Sequence, residues 1–351
     1  MSPLKIGTCA YYGDATTVPN GQTIRSINVT QAIIEHSKQS SVIQMSYHQW
    51  RKQPLKTLIN FINLEKQSNA LILFPDANAV KFIVPIAVLF KTVLKTKVYY
   101  NVIGGWLPNF LNQNKYFVGI LKRLDGVFVQ TNYLKNELNK KGIKNVYVFP
   151  NFKAIEILKK EELDPNITKP LKICFISRVT SQKGIGDLIS VIKEINKEKE
   201  KYHLDIYGPV DNEYKEEFDR IRGNFPSYIM YKGVADTNNV GNILKNYFMQ
   251  IFPTRYRTEG FPGSILDSFC SGVPVLASRW DSYSDVINDG VDGLTYEFGN
   301  VSDLKIKLEE IYGSPEVILQ MKTNCILKAE NFKPENIIRI MLDVIENDEI
   351  I

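Results

Sequence analysis

Three loops of this chain gather residue types that can hold an anion and act on what is attached to it. In FISRVTSQKGIGDLI, Arg178 follows an apolar run, and Lys183-Gly184 comes five residues later, just before a helical stretch. A guanidinium binds two oxygens in a fork and a lysine adds a point charge, so the pair suits a diphosphate, although both residues also serve to cap a loop. In IFPTRYRTEGFPGSILDSFCSGVPVLAS, Glu259 precedes Phe261, Pro262, Gly263 and Ser264; a helix starts near Gly263 and carries Asp267 in its first two turns. Free amides at Gly263 and Ser264 make an anion seat at the positive end of that helix. An acid placed there is costly unless a cation or a polyol is near, which favours a ligand role for Glu259 over a structural one. Carboxylates eight residues apart can grip two hydroxyl-bearing parts of one ligand. The third loop, Pro19-Asn20-Gly21-Gln22-Thr23, opens an amphipathic helix, and Gly21 lets backbone amides approach a ligand, as it equally permits a plain turn. A diphosphate held by Arg178, Lys183 and a helix start, with carboxylates for hydroxyl groups, describes a nucleotide-sugar and a transferase acting on it.

Other chemistries lack their residues. The chain has no Walker A loop, no H-E-x-x-H, no G-x-S-x-G elbow, and no G-x-G-x-x-G with an acid about 20 positions on. Its three histidines, His36, His48 and His203, do not pair at metal-ligand spacing, and no Asp-x-Asp is present, so no metal is expected. Cys9, Cys174, Cys270 and Cys325 form no C-x-x-C and read as inert thiols in a reducing compartment.

These loops need strands to carry them. Apolar or β-branched runs at 4–8, 41–47, 70–74, 98–103, 126–130 and 146–149 alternate with helical stretches at 22–38, 54–67, 78–96, 115–122 and 132–141. A polar stretch, Lys159 to Pro170, reads as a linker, and a second alternating series follows from Lys172. With 351 residues, 44% apolar and 23% charged, the chain can bury two cores, so two doubly wound α/β domains are expected. Ligands of such sheets bind beyond the strands' carboxyl ends, so a cleft between two domains is the natural site. The longest apolar run, Phe82 to Phe90, is far short of the roughly 20 residues that span a bilayer. The start, MSPLKIGTCAYYGD, lacks a secretory apolar region, so a cytoplasmic protein is expected.

R-x4-K-G after a strand, then E-G-F-P-G-x-x-x-D and S-G-V-P-V-L-A-S, resembles the retaining family-4 glycosyltransferases of GT-B fold. The likeness runs most strongly from Leu171 to Tyr296, including N-D-G-V-D-G-L. It extends more weakly to PNGQT, IGGWLP and NVYVFPNF, and is nearest in appearance to bacterial enzymes of capsule and exopolysaccharide assembly. The resemblance implies an acceptor-binding first domain, 1–165, with 334–351 crossing back onto it, and a donor-binding second domain, 166–333. It implies that Arg178 and Lys183 neutralise the donor diphosphate, that Glu259 orients sugar hydroxyls, and that Asp267 stands where the family usually has a glutamate on the ribose. Gly233 and Val234 match the loop that reads the nucleobase, Gly208 lies at another donor-side strand, and Gly21 and Gln22 complete the donor set. The histidine many members carry in the first domain is replaced here by Gly104-Gly105-Trp106. Gly105 and Trp106 are thus acceptor-side candidates, with core packing an equal explanation of the tryptophan. UDP is the nucleotide implied on family grounds, with GDP still open, and no cofactor beyond the nucleotide-sugar is implied.

Charge divides unevenly. Residues 1–150 hold 18 Lys and Arg against 6 Asp and Glu, a net of +12, and the other 201 hold 25 against 32, a net of −7. A basic acceptor-binding half suits a saccharide carried on a polyprenyl diphosphate and a peripheral contact with an anionic membrane; segments 78–96 and 115–123 combine apolar and basic residues for that contact. Nucleic acid is not expected, since no aromatic–basic interleaving is present. The rivals are a nucleotide-sugar epimerase, against which the scarcity of histidine counts, and a silent GT-B scaffold, which need not keep cations in a cleft.

Overall fold

The computed structural model describes residues 4–13, 21–37, 40–154, 156–236 and 239–347. In chain order the first half runs β1 (Leu4–Ala10), α1 (Gly21–His36), β2 (Ser40–Ser46), α2 (Pro54–Gln67), β3 (Ala70–Phe74), α3 (Val80–Leu94), β4 (Lys97–Asn101), α4 (Leu107–Gln113), α5 (Phe117–Leu121), β5 (Gly126–Val129), α6 (Asn132–Lys140) and β6 (Val146–Val148). The second half continues with β7 (Leu171–Ile176), α7 (Ile185–Ile195), β8 (Tyr202–Tyr207), α8 (Lys215–Arg222), β9 (Ile229–Gly233), α9 (Val240–Leu244), β10 (Met249–Phe252), α10 (Gly263–Cys270), β11 (Val275–Ser278), β12 (Gly293–Tyr296), α11 (Val301–Gly313), α12 (Glu316–Glu330) and α13 (Pro334–Asn347).

The strands form two parallel six-stranded sheets, β2-β1-β3-β4-β5-β6 and β12-β11-β10-β7-β8-β9. Parallel strands covered on both faces need continuous apolar runs, and ALILF in β3, buried at all five positions, meets that need. Helices begin where side chains supply the missing acceptors: Thr131 Oγ1 accepts from Leu134 N–H at the start of α6, and Asp76 Oδ1 accepts from the Asn78 and Ala79 amides before α3. In α7, Ile185, Leu188, Ile189, Ile192 and Ile195 are buried at helical spacing against β7 and β8. The four cysteines are free and buried.

Strand order reverses direction between β1 and β3 in the first sheet and between β7 and β10 in the second. At such a point the following loops diverge to opposite faces and open a crevice beyond the strand ends. No described helix is long and apolar enough to cross a membrane.

The chain divides into two compact units, Met1–Ala154 with Lys333–Ile351, and Ile155–Phe332. The division falls at Ala154/Ile155, not at 165/166 and not within the stretch 159–170. Residues 156–165 belong to the second unit because Leu158 N–H donates to the Cys270 carbonyl, Ile157 packs against the core cluster that holds Phe261 and Trp280, and Leu163 lies against Gly272. Helix α13 belongs to the first unit, where it packs on α1 through an apolar face that buries Ile337, Ile338, Met341 and Ile345.

Candidate functional site

In the second unit the motif residues collect at the carboxyl ends of four neighbouring strands, β10, β7, β8 and β9. After β7 the chain makes a 3-10 turn, Ser181–Lys183, and then Gly184 adopts φ +70° before α7 begins. A side chain at Gly184 would strike the Pro253 carbonyl oxygen, so glycine is what lets the β7 and β10 loops touch here. The contact is reinforced by Arg255 N–H donating to the Gln182 carbonyl at 2.8 Å and by the bidentate Arg255–Asp187 pair at 2.6 Å.

That contact brings together two of the expected residues. Lys183 Nζ donates to Glu259 Oε1 in a close ion pair, with side chains 21% and 11% exposed. The ammonium also lies 5.4 Å from the Phe252 ring centroid. Thr254, buried at the end of β10, donates its hydroxyl proton to the same carboxylate oxygen at 3.0 Å and accepts from Tyr256 N–H at 3.1 Å. Ser282 fixes the loop from behind by donating to the Glu259 and Gly260 carbonyls at 2.9 and 3.3 Å. Thr254 and Ser282 were not legible as site residues. The only trace of Thr254 is its place one residue past the apolar run that ends at Pro253, and Ser282 has no motif at all.

Arg178 stands two residues past β7 with its side chain 50% exposed, and it faces Asp211 at 3.8 Å. Gly208, at φ +136°, follows β8, and a side chain there would strike the Ser177 carbonyl oxygen. Its amide donates to the Gly233 carbonyl at 2.9 Å, which ties the ends of β7, β8 and β9 into one rim. Gly233 has φ +78° with open space where a side chain would be, and Val234 is exposed. Phe261 is buried edge-to-face against Phe332, Pro262 is the N-cap of α10, and Gly263 and Ser264 begin that helix. Asp267 lies on the buried part of α10.

In the first unit, Gly21 begins α1 and Gln22 Nε2 donates to the Phe74 carbonyl at 3.2 Å, at the point where strand order reverses. Pro19 and Asn20 of the same motif lie outside the described residues. After β4, Gly104 N–H donates to Gln130 Oε1 at 3.0 Å, Gly105 is buried, and Trp106 donates its indole N–H to the Ile103 carbonyl at 2.9 Å. The Trp106 ring packs edge-to-face on Phe110, 5.6 Å between centroids, and lies half-buried against the core. Arg25 of α1 is fully enclosed between the Phe149 and Phe152 rings, 4.7 and 4.6 Å from their centroids. It donates to Asn151 Oδ1 at 3.1 Å and to the Pro150 carbonyl at 2.7 Å.

A cation pair of different reach, a carboxylate held by lysine and threonine, and a helix start form one rim of the second unit. Such a rim can seat phosphates beside hydroxyl groups. Comparisons with known proteins point the same way. The chain is 26% identical over 244 residues to a protein of Methanocaldococcus jannaschii described as an uncharacterised glycosyltransferase, covering 64% of this chain and 61% of that one. It is 24% identical over 164 residues to a 41.2 kDa protein in the cps region of Klebsiella pneumoniae, covering 47% and 42%. The chain thus spans less than two thirds of the length of these relatives. Among solved structures, Anabaena HepE in complex with UDP and glucose superposes with a TM-score of 0.76 at 12% identity, covering 98% of this chain and 100% of that one. The fold is GT-B. A family model for glycosyl transferases group 1 matches residues 156–332, just over half of the chain and the whole of the rim just described, and the chain belongs to that family.

Proposed function

We propose that the protein transfers a sugar, with retention of configuration, from a nucleoside-diphosphate sugar, UDP-linked, to a saccharide or polyprenyl-diphosphate-linked saccharide during assembly of a surface polysaccharide. The observation that carries this reading is the convergence of Lys183 and Glu259 from the β7 and β10 loops, at the point where strand order reverses, with α10 starting four residues after Glu259. The UDP bound to HepE and the cps location of the Klebsiella relative support the donor and the pathway class.

In this reaction the bond from the anomeric carbon to the diphosphate oxygen breaks, and the bond to the acceptor oxygen forms on the same face. The acceptor's proton passes to the departing phosphate oxygen, so no separate protein base is invoked. Negative charge grows on the diphosphate as it leaves, and Arg178 and Lys183 stabilise it in place of a metal ion. Glu259, its Oε1 held by Thr254 and Lys183, keeps Oε2 for sugar hydroxyls. Gly233 and Val234 offer backbone to the base, and Asp267 takes the ribose.

The test offers a panel of UDP- and GDP-sugars with saccharide acceptors and reads products by mass spectrometry and anomeric configuration by NMR. Transfer from a UDP-sugar with retention, abolished in Glu259→Ala, is expected. Inversion of configuration, or epimerised donor formed without an acceptor, overturns the reading.

A further inference from the structure

Helix α3, VKFIVPIAVLFKTVL, is apolar around most of its circumference, yet it buries only Val80, Val84 and Ala87 fully. A helix of that composition is ordinarily enclosed by protein or faces lipid. Its outward side carries Phe82, Leu89 and Val93, which are 53%, 69% and 78% exposed, with half-buried Ile86 between them. The spacing 82, 86, 89, 93 lies on a single stripe opposite the buried one. Trp50 extends the stripe at the N-terminal end, its ring 5.3 Å from that of Phe82, and the Arg51 guanidinium lies 5.3 Å over the Trp50 ring.

Basic side chains outnumber acids in the segment that carries the stripe, although Lys91 of α3 is paired with Asp125 at 2.7 Å. Between positions 50 and 97 there are eight Lys and Arg against two acids, Glu65 and Asp76. Asp76 is engaged in capping α3, and Glu65 is fully buried. Exposed Arg51, Lys52, Lys81 and Lys95 therefore lie near the stripe's two ends. A second copy of the chain fits this surface badly, because a two-fold contact brings a patch against itself and would set these cations against one another. Anionic phospholipid supplies both an acyl layer for the stripe and phosphates for the cations.

We propose that the outward face of α3, continued by Trp50, docks on an anionic lipid bilayer, with the Phe82–Leu89–Val93 stripe entering the headgroup–acyl boundary and the flanking lysines and Arg51 meeting lipid phosphates. The donor rim plays no part in this contact, so its test is separable from that of transferase activity.

Full-length protein is floated with vesicles of phosphatidylcholine alone and of phosphatidylcholine with about 30% phosphatidylglycerol. Association with the anionic vesicles, weakened by salt, is expected. Leu89→Ser/Val93→Ser lowers the partition coefficient about tenfold or more, and Arg51→Gln/Lys81→Gln removes the preference for anionic lipid. These side chains are exposed, so unchanged thermal midpoints verify that the variants fold. Three outcomes overturn the proposal: no association of the wild type with anionic vesicles, equal association of Leu89→Ser/Val93→Ser, or a dimer in sedimentation equilibrium that this variant abolishes.

Discussion

Substituting Glu259 by glutamine separates what the carboxylate does for the fold from what it does to a bound diphosphate. The amide keeps an oxygen for the Thr254 hydroxyl and for Lys183 but removes the charge that now faces the ammonium. With side chains 21% and 11% exposed, the pair lies between a surface ion pair, worth 0–1 kcal/mol, and a fully buried one, whose breaking costs 3–5, so a loss of about 2 kcal/mol is expected. For a unit of this size that lowers the thermal midpoint by about 4–8 °C. Nucleotide affinity moves the opposite way. A carboxylate near phosphate oxygens repels them by about 1 kcal/mol at intermediate dielectric, and its removal frees Lys183, so UDP binds Glu259→Gln about fivefold tighter while sugar transfer falls. Calorimetric titration with UDP and melts without ligand measure both. A variant that melts like the wild type and binds UDP more weakly would refute the argument, because Glu259 would then be neither Lys183's partner in the fold nor a neighbour of the phosphates.

Two further outcomes follow from the geometry. Gly184→Ala forces an L-residue to φ +70° and drives its methyl into the Pro253 carbonyl, so it costs about 2–3 kcal/mol in melts and weakens nucleotide binding by parting the β7 and β10 loops. Glu65 is enclosed with neither carboxylate oxygen hydrogen-bonded, and burial, only partly offset by Lys91, pushes its pKa up to about 8. Because the folded chain holds that proton more tightly than the unfolded one, the stabilisation is complete below about pH 4.5 and is lost as pH rises toward 8. Glu65→Gln should therefore flatten the fall in thermal midpoint between those values, and an unchanged pH profile would contradict it.

The six strands of the first half were legible to within about two residues because each is a short run closed by polar residues, as in β3, where period and burial agree. Helix α4 was missed: Pro108 and the polar Asn109, Asn112 and Gln113 read as loop, whereas proline at the first turn starts a helix. The boundary between units was misplaced because the polar stretch 159–170 has the composition of a linker, while the contacts of Leu158 and Leu163 that bind it to the second unit join residues about a hundred positions apart. Arg178, Lys183 and Glu259 are candidates by type and spacing alone. The pairing of Lys183 with Glu259 was not legible, since the two are 76 residues apart and meet only through sheet order. The same holds for Arg25, whose enclosure by Phe149 and Phe152 depends on a contact 124 residues away in sequence.

The central claim is that the rim at β7 and β10 seats a nucleoside diphosphate, and calorimetric titration of UDP into wild type and Arg178→Ala tests it most directly. Arg178 is half exposed and its ion pair with Asp211 is long, at 3.8 Å, so its removal leaves the unliganded fold intact and takes away only contacts to the ligand. UDP should bind the wild type and add roughly 2.7 kcal/mol of stability at about 100 Kd. Losing a guanidinium–phosphate contact of about 1.5–3 kcal/mol should weaken UDP about 10- to 150-fold in the variant, with its ligand-free melt unchanged. Binding of neither UDP nor GDP to the wild type, or equal binding by both proteins, would contradict the account.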